Sequence, residues 1–340
     1  MLRPAGVLWW LPARRCSAAE NTPTCKGGRI PYNLRSRRSG WLRIVRARMG
    51  VSVGTAFDDF KQSVRRGVEE ALTRSLTAYG PTEIRRVAEY VATGGGHRWR
   101  AMACVAAGLA FREDALDVCL PGACGAELAH AASLLLDDLP SMDNATVRRG
   151  KPCAHLLFPR WAVDMAPAFL VNVGYRIALD NPLASHERRV AAALELAKAA
   201  CQMFEGQELD VTQAAREGDP ETLLRCYRLK TGALYAASSK AGAILCGASE
   251  DDAAVFYDCG MGLGLSYQFL DDTADVVGGV EQAGKDAGLD AAKLTAVSLY
   301  GLKGAEARAK AFAERALAAV ARFGPGAELF ACLIRRAHWA

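Results

Sequence analysis

The sequence predicts an all-α protein, and three observations carry that prediction. From Phe57 onward apolar residues recur mostly three and four positions apart, the spacing of one helical face. Strand-like alternation is absent, and Ala and Leu abound. The breaks fall at Gly and Pro: Gly80-Pro81, Gly94-Gly95-Gly96, Leu139-Pro140, Asn181-Pro182, Gly218-Asp219-Pro220 and Gly278-Gly279. Between them the periodicity places helices over about 57–79, 82–93, 99–111, 117–138, 162–179, 188–212, 220–246, 250–276 and 305–323. The stretches 117–138 and 232–246 are apolar all round, so the other helices are expected to wrap about them. No internal repeat or interdomain linker interrupts the pattern.

The chain has 340 residues, 51% hydrophobic and 23% charged, which excludes a disordered or fibrous protein and allows a sizeable core. Eleven Cys, scattered without a CxxC pair or a Cys/His cluster, exclude a disulfide framework and structural zinc and point to a reducing compartment. The net charge of +5 is unevenly placed. Residues 1–49 hold ten Arg and Lys26 against Glu20, a net +10, which leaves about −5 for the rest. The expected division is a basic, disordered leader over 1–50 and one folded domain over 51–340. The leader reads either as an organelle-targeting segment, Arg-rich and acid-poor, or as a start assigned upstream of Met49. Aromatic residues are too thinly interleaved with its charges for nucleic-acid binding. Asp164 and Arg176 interrupt the longest apolar run, 161–179, short of the ~18 residues of a membrane span, so no integral membrane segment is expected.

Two acidic clusters carry the chemistry. In AASLLLDDLPSMDNATVRRGKP, Asp137, Asp138 and Asp143 follow Leu134, Leu135 and Leu136 at the end of an apolar helix. In SYQFLDDTADVVG, Asp271, Asp272 and Asp275 close the helix that begins near 250. Asp271 and Asp275 are four apart on one helical face and repel as bare anions. A bound cation reverses that penalty, and oxygen-only ligands without His or Cys suit magnesium, which shares its coordination with substrate phosphates. Basic residues accompany both clusters: Arg148 and Arg149 after the first, Lys285 after the second, Lys230 between them, and Arg98 and Arg100 after the triple glycine. Arg presents a planar fork to phosphate oxygens and Lys a point charge, so together with metal they are suited to neutralising two separate diphosphates.

The stretches GGGHRWR, HAASLLLDDLPSMD, VRRGKP, GQELD, LKTGAL, YQFLDDTAD and GKDAGLDAAKLT, in this order over roughly 56–325, resemble those of the trans-isoprenyl diphosphate synthases. The resemblance is closest to the geranylgeranyl diphosphate synthases of bacterial carotenoid-type pathways. It implies a single helical bundle around a central cavity, in a homodimer of cytoplasmic location, or of an organelle if residues 1–49 are a transit peptide. It also implies magnesium, three ions, held by Asp137, Asp138, Asp143, Asp271, Asp272 and Asp275. By the same resemblance Arg148, Lys230 and Lys285 contact an allylic diphosphate, with Thr231 and Gln268 at the reacting centre. Arg100, His130 and Arg149 match the isopentenyl diphosphate site. Gly206 and Gln207 match the GQ step, for which helix packing and catalysis both remain open. His97 stands where the family usually has Lys and Ala101 where it has Pro. A His is only partly charged near neutral pH, so isopentenyl diphosphate is expected to bind more weakly, and with a pH dependence.

The activity implied is condensation of isopentenyl diphosphate with an allylic prenyl diphosphate. Ionisation of the allylic substrate is assisted by Asp137, Asp138 and Asp271 with their metal and by Lys230, the cation is attacked by the isopentenyl double bond, and a proton is lost. Product length is expected to depend on residues one turn before the first acids. There Ala132 and Ser133 are both small, which admits a tail longer than fifteen carbons, and the HAASL run shared with the bacterial geranylgeranyl diphosphate synthases implies a twenty-carbon product. A non-catalytic subunit of a heteromeric synthase, or a synthase of another chain length, are the alternative readings.

Overall fold

In the computed structural model, residues 53–212, 219–277 and 294–339 are described. The leader expected over 1–50 and Lys285 lie outside them. The fold is all-helical. Helices α1 (Val53–Thr77), α2 (Glu83–Ala92), α3 (Trp99–Leu109), α4 (Ala115–Asp137), α5 (Arg160–Leu179) and α6 (His186–Val211) are followed by α7 (Pro220–Tyr227), α8 (Ala233–Leu245), α9 (Glu250–Val277), α10 (Ala296–Val320) and α11 (Glu328–Trp339). Starts are set by side chains that accept the first free N–H groups: Thr82, Ser185 and Asp219 cap α2, α6 and α7, and Thr295 forms a reciprocal capping box with Ser298 at α10.

The two stretches read as apolar all round are central. α4 is buried along most of its length, and α8 is buried except near Lys240 and Ile244. α8 packs on α3, α4, α6 and α9, and α4 packs on α5. At Gly242 a Cβ would lie 1.8 Å from the Cys104 carbonyl oxygen, so α8 and α3 cross backbone against backbone. Leu72, Met102, Leu128, Leu135, Leu170, Leu196, Leu234 and Phe256 fill this core, and full burial of such a side chain contributes about 1.5–3 kcal/mol. A smaller cluster of Leu223, Tyr227, Leu265, Phe269, Ala305 and Ala309 joins α7, α9 and α10.

Four details differ from the sequence reading. The helix expected over 220–246 is divided by one wide turn, Arg228–Gly232, with π-helical bonding. Such turns often occur at functional sites. The last long helix, expected over 305–323, starts at Ala296 and passes a kink at Gly301, and α11 follows it where no helix was expected. Strand structure is present in one small hairpin, Val147–Arg148 antiparallel to Lys151–Pro152. Its two-residue loop, Arg149-Gly150, has positive φ at both positions (53° and 71°), the geometry of a type I′ turn. Lastly, three helical stretches, Ala115–Asp137, Arg160–Leu179 and Ala296–Ala337, are long and apolar enough to span a membrane by length and composition, against the expectation of none. In Ala115–Asp137 that apolar surface is packed inside the bundle, 83% of its most apolar stretch being buried. Among the described residues all nine cysteines are free thiols, eight of them buried.

Candidate active site

A cavity of about 1400 Å³ opens between the helices. Its walls are helical stripes at three- and four-residue spacing: Ala129, Ala132, Ser133, Leu136 and Asp137 from α4; Asp164, Pro167, Ala168, Val171 and Asn172 from α5; Ala200, Met203, Phe204, Gln207 and Asp210 from α6; and Gln268, Asp271, Asp272 and Asp275 from α9. α4, α5 and α6 thus each contribute small or apolar residues together with an acid, and α9 contributes mainly acids.

The acidic clusters divide in a way their sequence does not announce. Asp137 and Asp143 line the cavity, and Asp137, largely buried, has its carboxyl pushed up to about 6 by desolvation, with Asp143 and Asp210 adding to the rise and Lys230 and Arg148 opposing it. Asp138 does not line this cavity. It is 5% exposed, and its Oδ1 accepts from Arg148 Nε (2.9 Å) and Nη2 (2.6 Å), so it anchors the hairpin to the end of α4. In the second cluster Asp271, Asp272 and Asp275 all line the wall, and Asp272 is bonded as well to internal partners. Its Oδ2 accepts the Ala296 N–H at 2.7 Å and the Tyr227 hydroxyl, and its Oδ1 accepts from Gln268 Nε2 at 3.0 Å. Burial raises the Asp272 carboxyl to about 6 despite those bonds. In both clusters the second Asp of the pair is bonded to internal partners, Asp138 away from the cavity and Asp272 at its edge, and the first and last face the cavity.

The wide turn Arg228–Gly232 presents Lys230 and Thr231 to the same space. Lys230 Nζ donates to Asp210 Oδ2 at 2.6 Å, and Thr231 Oγ1 donates to Gln268 Oε1 at 2.6 Å. A bonded chain therefore runs from Thr231 through Gln268 and Asp272 to Tyr227 and the start of α10. Gly206 explains how α6 comes close enough: a Cβ there would lie 2.3 Å from the Lys230 nitrogen. Gly206→Ala must push backbone from backbone, so a stability loss of about 1–3 kcal/mol or more is expected as a lowered melting temperature, with the Lys230–Asp210 pair displaced.

The cations gather on another part of the wall. Arg100 lies with its guanidinium carbon 4.6 Å from the Tyr235 ring centroid, and its buried Nε has no hydrogen-bond partner. Arg149 Nη1 donates to the Gly95 carbonyl at 2.7 Å, which fixes the hairpin tip against the triple glycine. His130 is held well below the ordinary histidine range by burial and by Arg100, Arg149 and Arg148, and is therefore neutral in the absence of an anion. His97 is lowered too, by partial burial and then by Lys61, Arg65 and Arg149. Arg98, grouped by sequence with the phosphate-facing cations, is 3% exposed and bound to Glu69 (2.6 Å) and Glu127 (3.3 Å), so its charge is consumed inside the fold. Glu127 also accepts the Ala101 N–H at 3.0 Å, a donor that Pro in that position would lack.

The structure therefore brings together His97, Arg100, His130, Ala132, Ser133, Asp137, Asp143, Arg148, Arg149, Lys230, Thr231, Gln268, Asp271, Asp272 and Asp275 around one cavity. Sequence reasoning missed Asp210, Tyr227 and Arg65, which also line it. Asp210 was legible as the acid of GQELD, four residues beyond Gly206; Tyr227 and Arg65 had no local signal. Among the described residues no three His, Cys, Asp or Glu side chains converge to hold a metal on their own. Carboxylate pairs on two walls, with desolvation and like charge raising Asp137, fit a hard cation completed by water and phosphate oxygens.

The family model described as polyprenyl synthetase matches residues 81–322. A protein named probable farnesyl diphosphate synthase from Sinorhizobium fredii is 34% identical over 289 residues, covering 81% of this chain and 86% of that one. Geranylgeranyl pyrophosphate synthase 7, chloroplastic, of Arabidopsis thaliana is 32% identical and covers 84% of each. The crystal structure of a farnesyl/geranylfarnesyl diphosphate (FPP/GFPP) synthase from Zymomonas mobilis superposes with a TM-score of 0.73 at 27% identity, covering 84% of this chain and all of that one.

Proposed function

The chain belongs to the polyprenyl synthetase family and is a prenyltransferase of that family, and from that premise we propose that it condenses isopentenyl diphosphate with an allylic diphosphate, with magnesium, to give geranylgeranyl diphosphate. The observation that supports this most is the sharing of one cavity by two sets of carboxylates, Asp137 with Asp143 and Asp271 with Asp275, and by the cations Lys230, Arg148, Arg149 and Arg100. Asp137, Asp143, Asp271 and Asp275 would hold the metal, with three ions as the proposed complement. When bound, the metal supplies Lewis-acid stabilisation of the departing diphosphate. Lys230 and Arg148 add fixed positive charge where negative charge develops, a stabilisation larger in the transition state than in the ground state. The apolar walls of α4, α5 and α6 exclude water from the allylic cation and receive the prenyl tail. Lys285 is proposed with the allylic site on sequence grounds.

Incubation of the purified chain with isopentenyl diphosphate, each allylic starter in turn and magnesium, followed by chain-length analysis, tests the reading. A twenty-carbon product is expected. Farnesyl diphosphate as the end product would correct the chain length alone, and no turnover by the chain alone would favour a subunit role. We also propose that a second copy covers the apolar outer faces of α5 and α6, where Trp161 and Met165 lie one turn apart and Val190 and Leu194 are exposed. A dimer mass by light scattering is the expected result. The domain over 51–340 is proposed to act in the cytoplasm, or in an organelle if residues 1–49 direct it there.

His97 gives a graded test of the isopentenyl diphosphate subsite. Its neighbours hold it below its ordinary value, so it is neutral at about pH 7 and gains charge only under more acidic conditions. His97→Lys is expected to lower KM for isopentenyl diphosphate by about two- to fivefold from neutral pH upward. The pH at which that gain fades lies below the ordinary histidine value, lower than the sequence alone suggested.

A further inference from the structure

We propose that Arg65 of α1 binds the diphosphate of isopentenyl diphosphate, so that charge at this subsite comes from the α1 face beside the glycine loop. This rests on the function proposed above. Arg65 is the residue through which α1 reaches the cavity wall. Lys61 lies one turn before it on the same helical face, and among the described residues neither forms an ion pair. Two cations spaced four apart repel each other unless an anion lies between or beside them. The acid that would ordinarily relieve Arg65 is Glu69, four residues on, and it is committed elsewhere: its Oε1 accepts from Arg98 Nε at 2.9 Å and Nη2 at 2.6 Å. Glu127, the other acid nearby, is bound to Arg98 and the Ala101 N–H.

The remaining surroundings point to which substrate is held. Arg65 and Lys61 share the neighbourhood of His97 with Arg149. The charges around Asp137 come instead from Lys230, Asp143, Arg148 and Asp210. Arg65 therefore belongs with the cation-rich part of the wall around His97 and Arg149, where a diphosphate would be bound by side chains without metal. The neutral imidazole of His97 supplies a hydrogen bond there but no charge, and Arg65 supplies the charge.

The test uses the full-length protein. Calorimetry with isopentenyl diphosphate alone, and KM for each substrate, are measured for the parent and for Arg65→Gln, which keeps a helix-forming side chain and removes the charge. The variant should bind isopentenyl diphosphate about three- to tenfold more weakly, with KM for the allylic diphosphate and the melting temperature unchanged. Its affinity should fall less steeply with salt than the parent's, because one screened contact is gone. Adding His97→Lys to Arg65→Gln should recover most of the loss, and Arg65→Glu should bind more weakly than Arg65→Gln whatever the effect on folding of either. Equal affinity of Arg65→Gln and the parent, equal weakening toward both substrates, or equal binding by the Gln and Glu variants would overturn the role of Arg65. A parent protein that binds no isopentenyl diphosphate would overturn the proposed function itself.

Discussion

Asp271→Ala is expected to reduce turnover by on the order of 10²–10³ or more at saturating magnesium, with the fold retained. Asp271 faces the cavity one helical turn from Asp275, and the two lie across from Asp137 and Asp143. Removing one anion from a like-charged pair relieves repulsion in the metal-free protein, so a melting curve should not fall. The deficit belongs to the transition state: a ligand that helps carry the developing charge on the diphosphate is lost, while apolar binding of the prenyl tail is untouched. Activity near the parental level under saturating magnesium would remove Asp271 from the site.

The second Asp of each pair should respond differently. Asp138 accepts two hydrogen bonds from Arg148 on one carboxylate oxygen, the Arg148 side chain being 26% exposed, and Asp272 holds Tyr227, Gln268 and the first N–H of α10. Asp138→Ala leaves a mostly buried guanidinium without its acid. Breaking a buried pair costs about 3–5 kcal/mol, and the lower end applies here because Arg148 keeps some access to water. The expected signature is a lowered melting temperature together with lost activity. That pairing of effects separates a scaffold carboxylate from one that faces the reacting groups, and a chevron or melting series over all four acids would resolve the two classes.

Much of this architecture is legible in the sequence. Helical spacing locates α1 to α6 and α9 to within a few residues, because each buries one continuous stripe, and the all-round apolarity of 117–138 and 232–246 marks the two helices at the centre. The acidic and basic motifs identify the wall of the cavity for the same reason: charges at the end of apolar helices need partners. What is not legible depends on tertiary partners. Nothing in DDLPSMD distinguishes Asp137 from Asp138, since the difference is a rotation of about 100° along the helix and what each then meets, cavity or Arg148. The same holds for Asp271 and Asp272, and for Arg98 against Arg100, where Glu69 and Glu127 arrive from distant helices. The wide turn at Arg228–Gly232 keeps helical periodicity on both sides, so the apolar pattern runs through it unbroken. The hairpin at Arg149-Gly150 is too short to show alternation, yet it is the element that sets Arg148 and Arg149.

If the product is the proposed twenty-carbon diphosphate, Ala132→Phe is expected to shorten it to fifteen carbons. Ala132 is 3% exposed and shares the cavity-facing stripe of α4 with Ala129, Ser133 and Asp137. Five residues at about 1.5 Å rise place it roughly 7–8 Å along the helix from Asp137, away from the acids and toward the region proposed to receive the prenyl tail. The same cavity is lined by Pro167, Ala168 and Val171 of α5 and by Ala200 and Met203 of α6, and the small side chain at 132 leaves space in it that an aromatic ring would take up. The acids are untouched, so ionisation and the first additions continue, and elongation stops when the tail meets the ring. Overpacking against α5 costs about 1–3 kcal/mol, which makes a melting curve part of the measurement. Ser133→Phe, on the face nearer Asp137, should shorten the product at least as far, with a larger loss of rate because the ring crowds the reacting end. A folded, active Ala132→Phe enzyme that still released the parental chain length would move the limit to the α5 and α6 walls, where Val171→Phe and Met203→Phe would then be the variants that shorten it.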